Sequence, residues 1–507
     1  MNTAAATAGE APGRVPGTGA GTGVVPPQRA AAPDEPSVAA DGAPAAVRDR
    51  LRERTAPLRV PRLDPYWTAG FFFLAYTVLA CWHFRTLSTS SWDLGIFEQA
   101  IRGYAHFGAP IVDLKGPGTN ILGDHFSPVL ILLAPLYRLF PSSLTLLIAQ
   151  AALFALSVLP VTRAAARSLG RLTGLAIGIA YGLSWGVQKA VDFDFHEIAF
   201  ALPLIAFALE AVLRGRWTAV VCWAAPLVLV KEDLGVTAAT IGALALIRTR
   251  RASPLAIGLV AFGLSATAVT LGVLIPGFNG SGSYDYWSKF GAEGGGAAIP
   301  LVTALRTTLW VLLPTTGLLA LRSPLLLVAL PTLGWRFLSH EPHYWGIDWH
   351  YNAVLMPVVF LALIDALPRI RVSAHPWLRS YAHHLPAAVL ATALALTTAL
   401  PLSRLTEAAT YRTPPDAVAT EKLLDRIPDG ATVESDIRPL SRLTGRTRVF
   451  WTGDTGGLSP DYVAVQLHAD RTPRQMLKEA MARHPRSTYV LLGGTGDLLV
   501  LHRTSAR

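Results

Sequence analysis

Six consecutive residues, Asp192-Phe193-Asp194-Phe195-His196-Glu197, place three carboxylates and an imidazole between two apolar segments, with Lys189 just upstream. Ionisable groups at the end of a membrane span are costly to hold there, so such a cluster reads first as a functional site and otherwise as a short solvated acidic loop. Three further stretches share its character. One is Trp92-Asp93-Leu94-Gly95-Ile96-Phe97-Glu98-Gln99, followed by Gly123-Asp124-His125; the others are Lys231-Glu232-Asp233 and the His- and aromatic-rich run from His340 to Tyr351.

Carboxylates from separate loops can divide two tasks, one acting as general base on an acceptor and others holding a divalent metal that neutralises a departing phosphate. Asp192, Asp194 and His196 are the candidate metal ligands, and oxygen-rich ligation of this kind suits magnesium, manganese or calcium, with zinc as a further option. Asp93 and Glu98 are the candidate catalytic carboxylates. Lys189 and Lys231 stand at span ends in a chain that otherwise prefers arginine, where an ammonium fits either a phosphate near the headgroups or an ion pair with Asp192 or Glu232. Asp124, His125, Glu197, Glu232, Asp233, His343 and His350 complete the candidates; for the histidines, interfacial hydrogen bonding is the competing role. Trp345, Trp349, Tyr344 and Tyr351 suit sugar stacking or an ordinary interfacial aromatic belt.

The elements that position these residues follow from composition. The 507 residues are 51% hydrophobic and 15% charged, with a mean hydropathy of +0.38, which describes a mainly α, polytopic membrane protein. The net charge of +10 does not mark a nucleic-acid binder. Its arginines cluster in short connections (Arg163/Arg167/Arg171, Arg214/Arg216, Arg248/Arg250/Arg251, Arg369/Arg371), the pattern of cytoplasmic loops. Cys81 and Cys222 both fall in apolar segments and offer no disulfide framework.

Residues 1–66 read as a disordered cytoplasmic tail ending in Arg48, Arg50, Arg52, Arg54, Arg59 and Arg62, which hold the N-terminus inside. The 126–140 segment is short and carries two prolines, so it suits an interfacial or re-entrant position. Residues 67–403 then hold about eleven spans, near 67–87, 144–164, 172–189, 197–213, 217–230, 234–248, 254–275, 300–320, 323–338, 352–368 and 384–402. This arrangement puts every arginine cluster on the cytoplasmic side of the plasma membrane. It puts the polar loops 88–143, 189–197, 231–233, 276–299 and 339–351 outside, with Asn279–Gly296 either a lid or a plain flexible connection.

From about 404 to 507 the composition becomes that of a small extracytoplasmic α/β domain. Strands are expected at Ala431–Ser435, Arg448–Trp451, Tyr462–Gln466 and Thr488–Leu492, and helices at Glu421–Arg426 and Pro473–His484. Gly493-Gly494-Thr495-Gly496-Asp497 looks like a phosphate loop, but strand-like runs flank it and no helix follows, so it reads as a hairpin turn.

Ser91–Ala100, Gly123–Pro128, Phe193–Glu197 and Leu229–Asp233, in that order, resemble the motifs of a family of prokaryotic predicted membrane proteins catalogued as a domain of unknown function, over roughly residues 67–370. The layout also resembles the GT-C class of membrane glycosyltransferases, which includes protein mannosyltransferases and aminoarabinose transferases. That resemblance implies a polyprenyl-phosphate sugar as donor, a glycan, lipid or protein as acceptor, and a soluble outer C-terminal domain. It gives Asp93 the catalytic or acceptor-binding role, Asp192 and Asp194 the metal or donor-phosphate role, and Lys231 a phosphate contact. A transporter or lipid flippase, for which Lys231-Glu232-Asp233 between two short spans speaks, and a non-catalytic envelope protein are the alternatives.

Overall fold

The computed structural model describes residues 63–506 apart from 90, 291–297, 468–469 and 497. The expected tail through Arg62 and the glycine-rich end of the Asn279–Gly296 loop lie outside the described residues.

Helix dominates, and every expected apolar span contains helix. By length and composition four helices suffice to cross a bilayer: Asp64–Arg85, Ser143–Leu169, Pro254–Phe278 and His350–Ile370. The others are shorter or interrupted, so helix length establishes four spans and not eleven. The expected 172–189 span is two helices, Arg171–Gly182 and Trp185–Phe193. Its break is stabilised by side chains that take up freed carbonyls: Tyr76 Oη donates to Gly182 O (2.6 Å) and Gln188 Nε2 to Leu183 O (2.7 Å). The 126–140 segment forms a 3-10 turn, Pro128–Leu133, and a short helix, Ala134–Leu139. Twelve residues of helix reach only about 18 Å, well short of the roughly 30 Å hydrocarbon core.

The Leu355–Ile370 helix is apolar on all sides as far as Ile364, and each residue from Leu355 to Leu367 is buried, so this helix sits inside the bundle. Carboxylates buried among the helices pair with the arginine clusters: Glu210 with Arg163 and Arg167, Asp365 with Arg248 and Arg369, and Asp64 with Arg171. These pairs satisfy charges that would otherwise be stranded among apolar neighbours.

The C-terminal region is a five-stranded sheet, β1 (Thr432–Ser435), β2 (Arg448–Trp451), β3 (Tyr462–Gln466), β4 (Ser487–Thr495) and β5 (Leu498–Ala506), in the order β2-β1-β3-β5-β4. β1 pairs in parallel with β2 and β3, whereas β5 is antiparallel to β3 and β4. The glycine-rich run is a hairpin end, with Thr495 opposite Leu498 and Gly496 at φ 46°. The sequence marked β5 only as the strand-like run that follows this turn, without bounds.

The sheet shares its core with the first polar loop. Ile96 and Ala100 of the Leu94–Ala105 helix, with Val112, Leu114 and Ile121, pack against Leu440, Leu443 and Val449. Polar contacts fix the seat. Gln99 Nε2 donates to Val449 O (2.9 Å), and Arg448 grips Asp113 through Nε (2.7 Å) and Nη2 (2.8 Å). The helix that starts at Asp93 is therefore held from both sides, by the bundle and by the sheet.

Candidate functional site

The Trp185–Phe193 helix ends where Asp194 adopts an extended backbone (φ −175°, ψ −161°), which turns its side chain toward the first loop. Asp194 Oδ2 accepts the backbone N–H of Asp93 (2.9 Å) and of Leu94 (3.2 Å), satisfying two orphan donors at the start of the Leu94–Ala105 helix. Gln150, buried in the Ser143–Leu169 helix, holds the same turn: its Nε2 donates to Asp194 O (2.6 Å) and its Oε1 accepts from His196 N (3.0 Å). Burial, and then the nearby Asp93 carboxylate, pushes the Asp194 carboxyl well above the usual range.

Two chains of charge radiate from these loops. In the first, His196 Nδ1 lies 2.7 Å from Glu197 Oε2, and Glu197 Oε1 lies 3.0 Å from Lys231 Nζ. His196 Nε2 faces Asp93 Oδ2 at 3.8 Å. Burial works against the charge on Glu197, yet His196 and Lys231 hold its carboxyl well below the ordinary value.

The second chain joins Lys115, Asp124, His125, Glu232 and Tyr284. Lys115 Nζ is 2.9 Å from Asp124 Oδ2, while His125 Nδ1 and Tyr284 Oη both lie 3.0 Å from Glu232 Oε1. Against the cost of burial, His125 and Lys231 pull the Glu232 carboxyl down to about 2. Burial raises Asp233 to about 6, with Glu232 reinforcing it against Lys231. Burial disfavours the imidazolium of His125, but the Glu232 and Asp124 carboxylates overcome it and raise the group. A close approach sets this chain in place: a Cβ on Gly123 would meet the Phe278 backbone at 2.5 Å, and Asn279 Nδ2 donates to Gly123 O (3.0 Å).

Both chains end at a cavity of about 710 Å³. Asp93, His125, His196, Lys231, Glu232, Asp233 and His343 are in its wall, beside the apolar side chains of Val236, Leu271, Leu330 and Leu338. The Pro254–Phe278 helix passes the cavity close to a π-helical turn at Thr270–Leu274, a local widening frequent at functional sites.

Other candidates fall elsewhere. Asp192 accepts from His83 Nε2 (2.9 Å) and Asp194 caps the Asp93 helix, so these two do not join His196 as one ligand set. The reason is the helix end at Phe193, which sends two aspartates only two positions apart to different partners. Glu98 is fully buried outside the cavity wall, accepting from Tyr137 Oη (2.9 Å), Ser143 Oγ (2.5 Å) and Thr444 Oγ1. Lys189 is half-buried and Asp124 and Glu197 stand behind the wall as ion-pair partners. His350 is buried, its ring tilted by 32° against that of His196 with centroids 3.8 Å apart.

Sequence reasoning passed over Lys289 and Arg336. Lys289 is in the cavity wall, its ammonium 2.9 Å from Tyr344 Oη and 4.5 Å from the Tyr286 ring centre. Like Lys231 it is a lysine in an arginine-preferring chain, and that signal would have found it. Arg336 is fully buried and organises the His340–Tyr351 loop by donating to Tyr344 O (2.7 Å), Gly346 O (2.7 Å) and Asn352 Oδ1 (2.9 Å). An arginine inside an apolar run was its sequence signal.

Residues 83–488 match a family described as "Predicted membrane protein (DUF2079)". Among solved structures, the fold is similar to ArnT from Cupriavidus metallidurans bound to undecaprenyl phosphate, at a TM-score of 0.55 and 12% identity. It is also similar to the apo state of that protein, at 0.52 and 13%. Each comparison covers 85% of this chain and 97% of the other. No curated protein matches the chain.

Proposed function

The chain belongs to the DUF2079 family of predicted membrane proteins, and from that premise we propose that it is a membrane glycosyltransferase of GT-C type, using a polyprenyl-phosphate sugar at the outer face. The observation that carries this reading is the cavity itself. One part of its wall is apolar, as an isoprenoid chain requires, and the other presents a carboxylate, Asp93, together with the ammonium groups of Lys231 and Lys289. The likeness in fold to a protein bound to undecaprenyl phosphate supports the same donor class. The arginine clusters, taken as cytoplasmic, support an outward-facing cavity.

In the proposed reaction an acceptor hydroxyl or amine attacks the anomeric carbon of the donor. The new bond to that carbon forms as its bond to the phosphate oxygen breaks, and polyprenyl phosphate leaves with the electron pair. The acceptor's proton passes to the Asp93 carboxylate. Lys289, whose contacts are aromatic and phenolic, takes the phosphate charge as it develops, and Lys231 adds field from its ion pair with Glu197.

The test is turnover of the purified full chain in liposomes with a panel of polyprenyl-phosphate-linked hexoses and pentoses, read as release of polyprenyl phosphate. Asp93→Asn is expected to lower turnover by about 100-fold or more. Equal turnover in the variant overturns the role of Asp93, and no turnover with any donor of the panel overturns the function.

A further inference from the structure

His350 is 2% exposed, and both of its ring nitrogens are buried with no hydrogen-bond partner among the described residues. A buried polar group in that state forfeits about 1–3 kcal/mol unless something else satisfies it. The described residues offer it no donor or acceptor, but they do place a second imidazole against it. The rings of His196 and His350 are 3.8 Å apart at 32°.

His196 Nδ1 stands 2.7 Å from Glu197 Oε2 and accepts the Ile198 N–H at 3.4 Å, so the carboxylate lies beside the ring without a hydrogen bond from it. Nε2 is on the other side of the ring, where Asp93 Oδ2 stands at 3.8 Å. That separation is too long for a hydrogen bond. It is close to the about 3.3 Å between two ligand atoms that share a tetrahedral ion at about 2.0–2.1 Å. Asp93, His196 and His350 each offer one ligand atom, and all three atoms lie within 4.8 Å of one another.

We propose that Asp93, His196 and His350 bind one transition-metal ion of the zinc class, with Glu197 orienting His196. Two imidazoles and one carboxylate favour zinc, manganese or iron over magnesium and calcium, which prefer oxygen throughout. A carboxylate that takes the far proton of a ligating histidine fixes its tautomer and ring direction, and Glu197 Oε2 stands 2.7 Å from His196 Nδ1 to do so. Asp93 and His196 line the cavity while His350 lies behind them, so a further ligand, water or a phosphate oxygen, reaches the ion from the cavity side. Bound through one oxygen, Asp93 keeps the other for the acceptor's proton. The site is read by metal binding and does not depend on sugar transfer.

The experiment uses the purified full chain, stripped with a chelator and titrated with Zn²⁺ and separately with Co²⁺. One equivalent of each is expected, with a visible Co²⁺ absorption that Zn²⁺ abolishes. His350→Gln and Asp93→Asn should each weaken Zn²⁺ binding by more than about 100-fold, beyond the about 10–100-fold expected for Glu197→Gln, which removes an orienting partner. Asp192→Asn should bind as the parent does. Asp93 borders the cavity, so Asp93→Asn carries the test should His350→Gln not fold. The proposal is overturned by absence of Zn²⁺ and Co²⁺ binding to the parent chain, by parent-like affinity in Asp93→Asn or in folded His350→Gln, or by loss of binding in Asp192→Asn. Sugar transfer with no metal binding sinks this inference alone, and metal binding with no transfer sinks only the function proposed above.

Discussion

Asp194 holds the backbone of Asp93: its Oδ2 accepts the Asp93 N–H at 2.9 Å from a side chain that solvent scarcely reaches. The carboxylate proposed to act is thus positioned by a carboxylate that does not line the cavity. Burial and Asp93 together raise Asp194 toward its neutral form, so what the helix start needs from it is an acceptor oxygen. Asp194→Asn retains such an oxygen and Asp194→Ala does not. We expect turnover of the Ala variant to fall about 10- to 100-fold through displacement of Asp93, and the Asn variant to recover most of it. Steady-state kinetics of the two variants side by side check this.

Lys231 and Glu197 form a buried ion pair at 3.0 Å. Removing one partner strands the other charge, at a cost of about 3–5 kcal/mol, whereas removing both restores much of it. Lys231→Met should lower the melting temperature of the full chain markedly, and Lys231→Met combined with Glu197→Gln should lie above it. A double variant that melts no higher than the single one would contradict this coupling.

Glu98 bonds three hydroxyls, on Tyr137, Ser143 and Thr444, and so ties the first loop to both the bundle and the sheet. Glu98→Ala takes the acceptor from Tyr137 Oη, while Ser143 and Thr444 keep the Ser441 and Leu440 carbonyls, and should destabilise the chain by about 1–3 kcal/mol. Chemical denaturation would register this. A loss of turnover at unchanged stability would instead return Glu98 to the chemistry.

The pair Glu232–His125 gives a pH window. Glu232 is depressed to about 2, so its stabilisation is present above the ordinary carboxylate range and is lost as pH falls from about 4.5 toward that value. His125 is raised, so its share is complete below about 6.5 and is lost as pH climbs through the raised value. The melting difference between the parent and Glu232→Gln should therefore be greatest between about pH 4.5 and 6.5 and shrink on both sides. A difference flat from pH 3 to 9 would exclude this ionic pairing.

Lys289 carries its charge among Tyr286 and Tyr344. Lys289→Ala should raise the KM for the lipid-linked donor about tenfold while leaving the melting curve within about 1 kcal/mol of the parent. Donor titration at fixed acceptor measures it.

What the sequence determined by itself is what depends on runs of neighbouring residues. Apolar stretches with arginine-bearing connections dictated a helical membrane protein, and alternating strands beyond 404 dictated an α/β segment with a hairpin at Gly496. Charge concentrated in the polar loops marked where a site would assemble, and Asp93, His196 and Lys231 do line one cavity. Residue runs say nothing of which way a side chain leaves a helix end. Only the tertiary structure decided that Asp192 turns to His83 while Asp194 turns to Asp93. It alone set the His350 ring against that of His196 from a distant loop and brought Lys289 into the wall. It also seated the sheet on the Leu94–Ala105 helix, where Glu98 found three hydroxyl partners instead of a substrate. Pairing among charges is set by distances across the fold, and those distances exist only once the helices have packed.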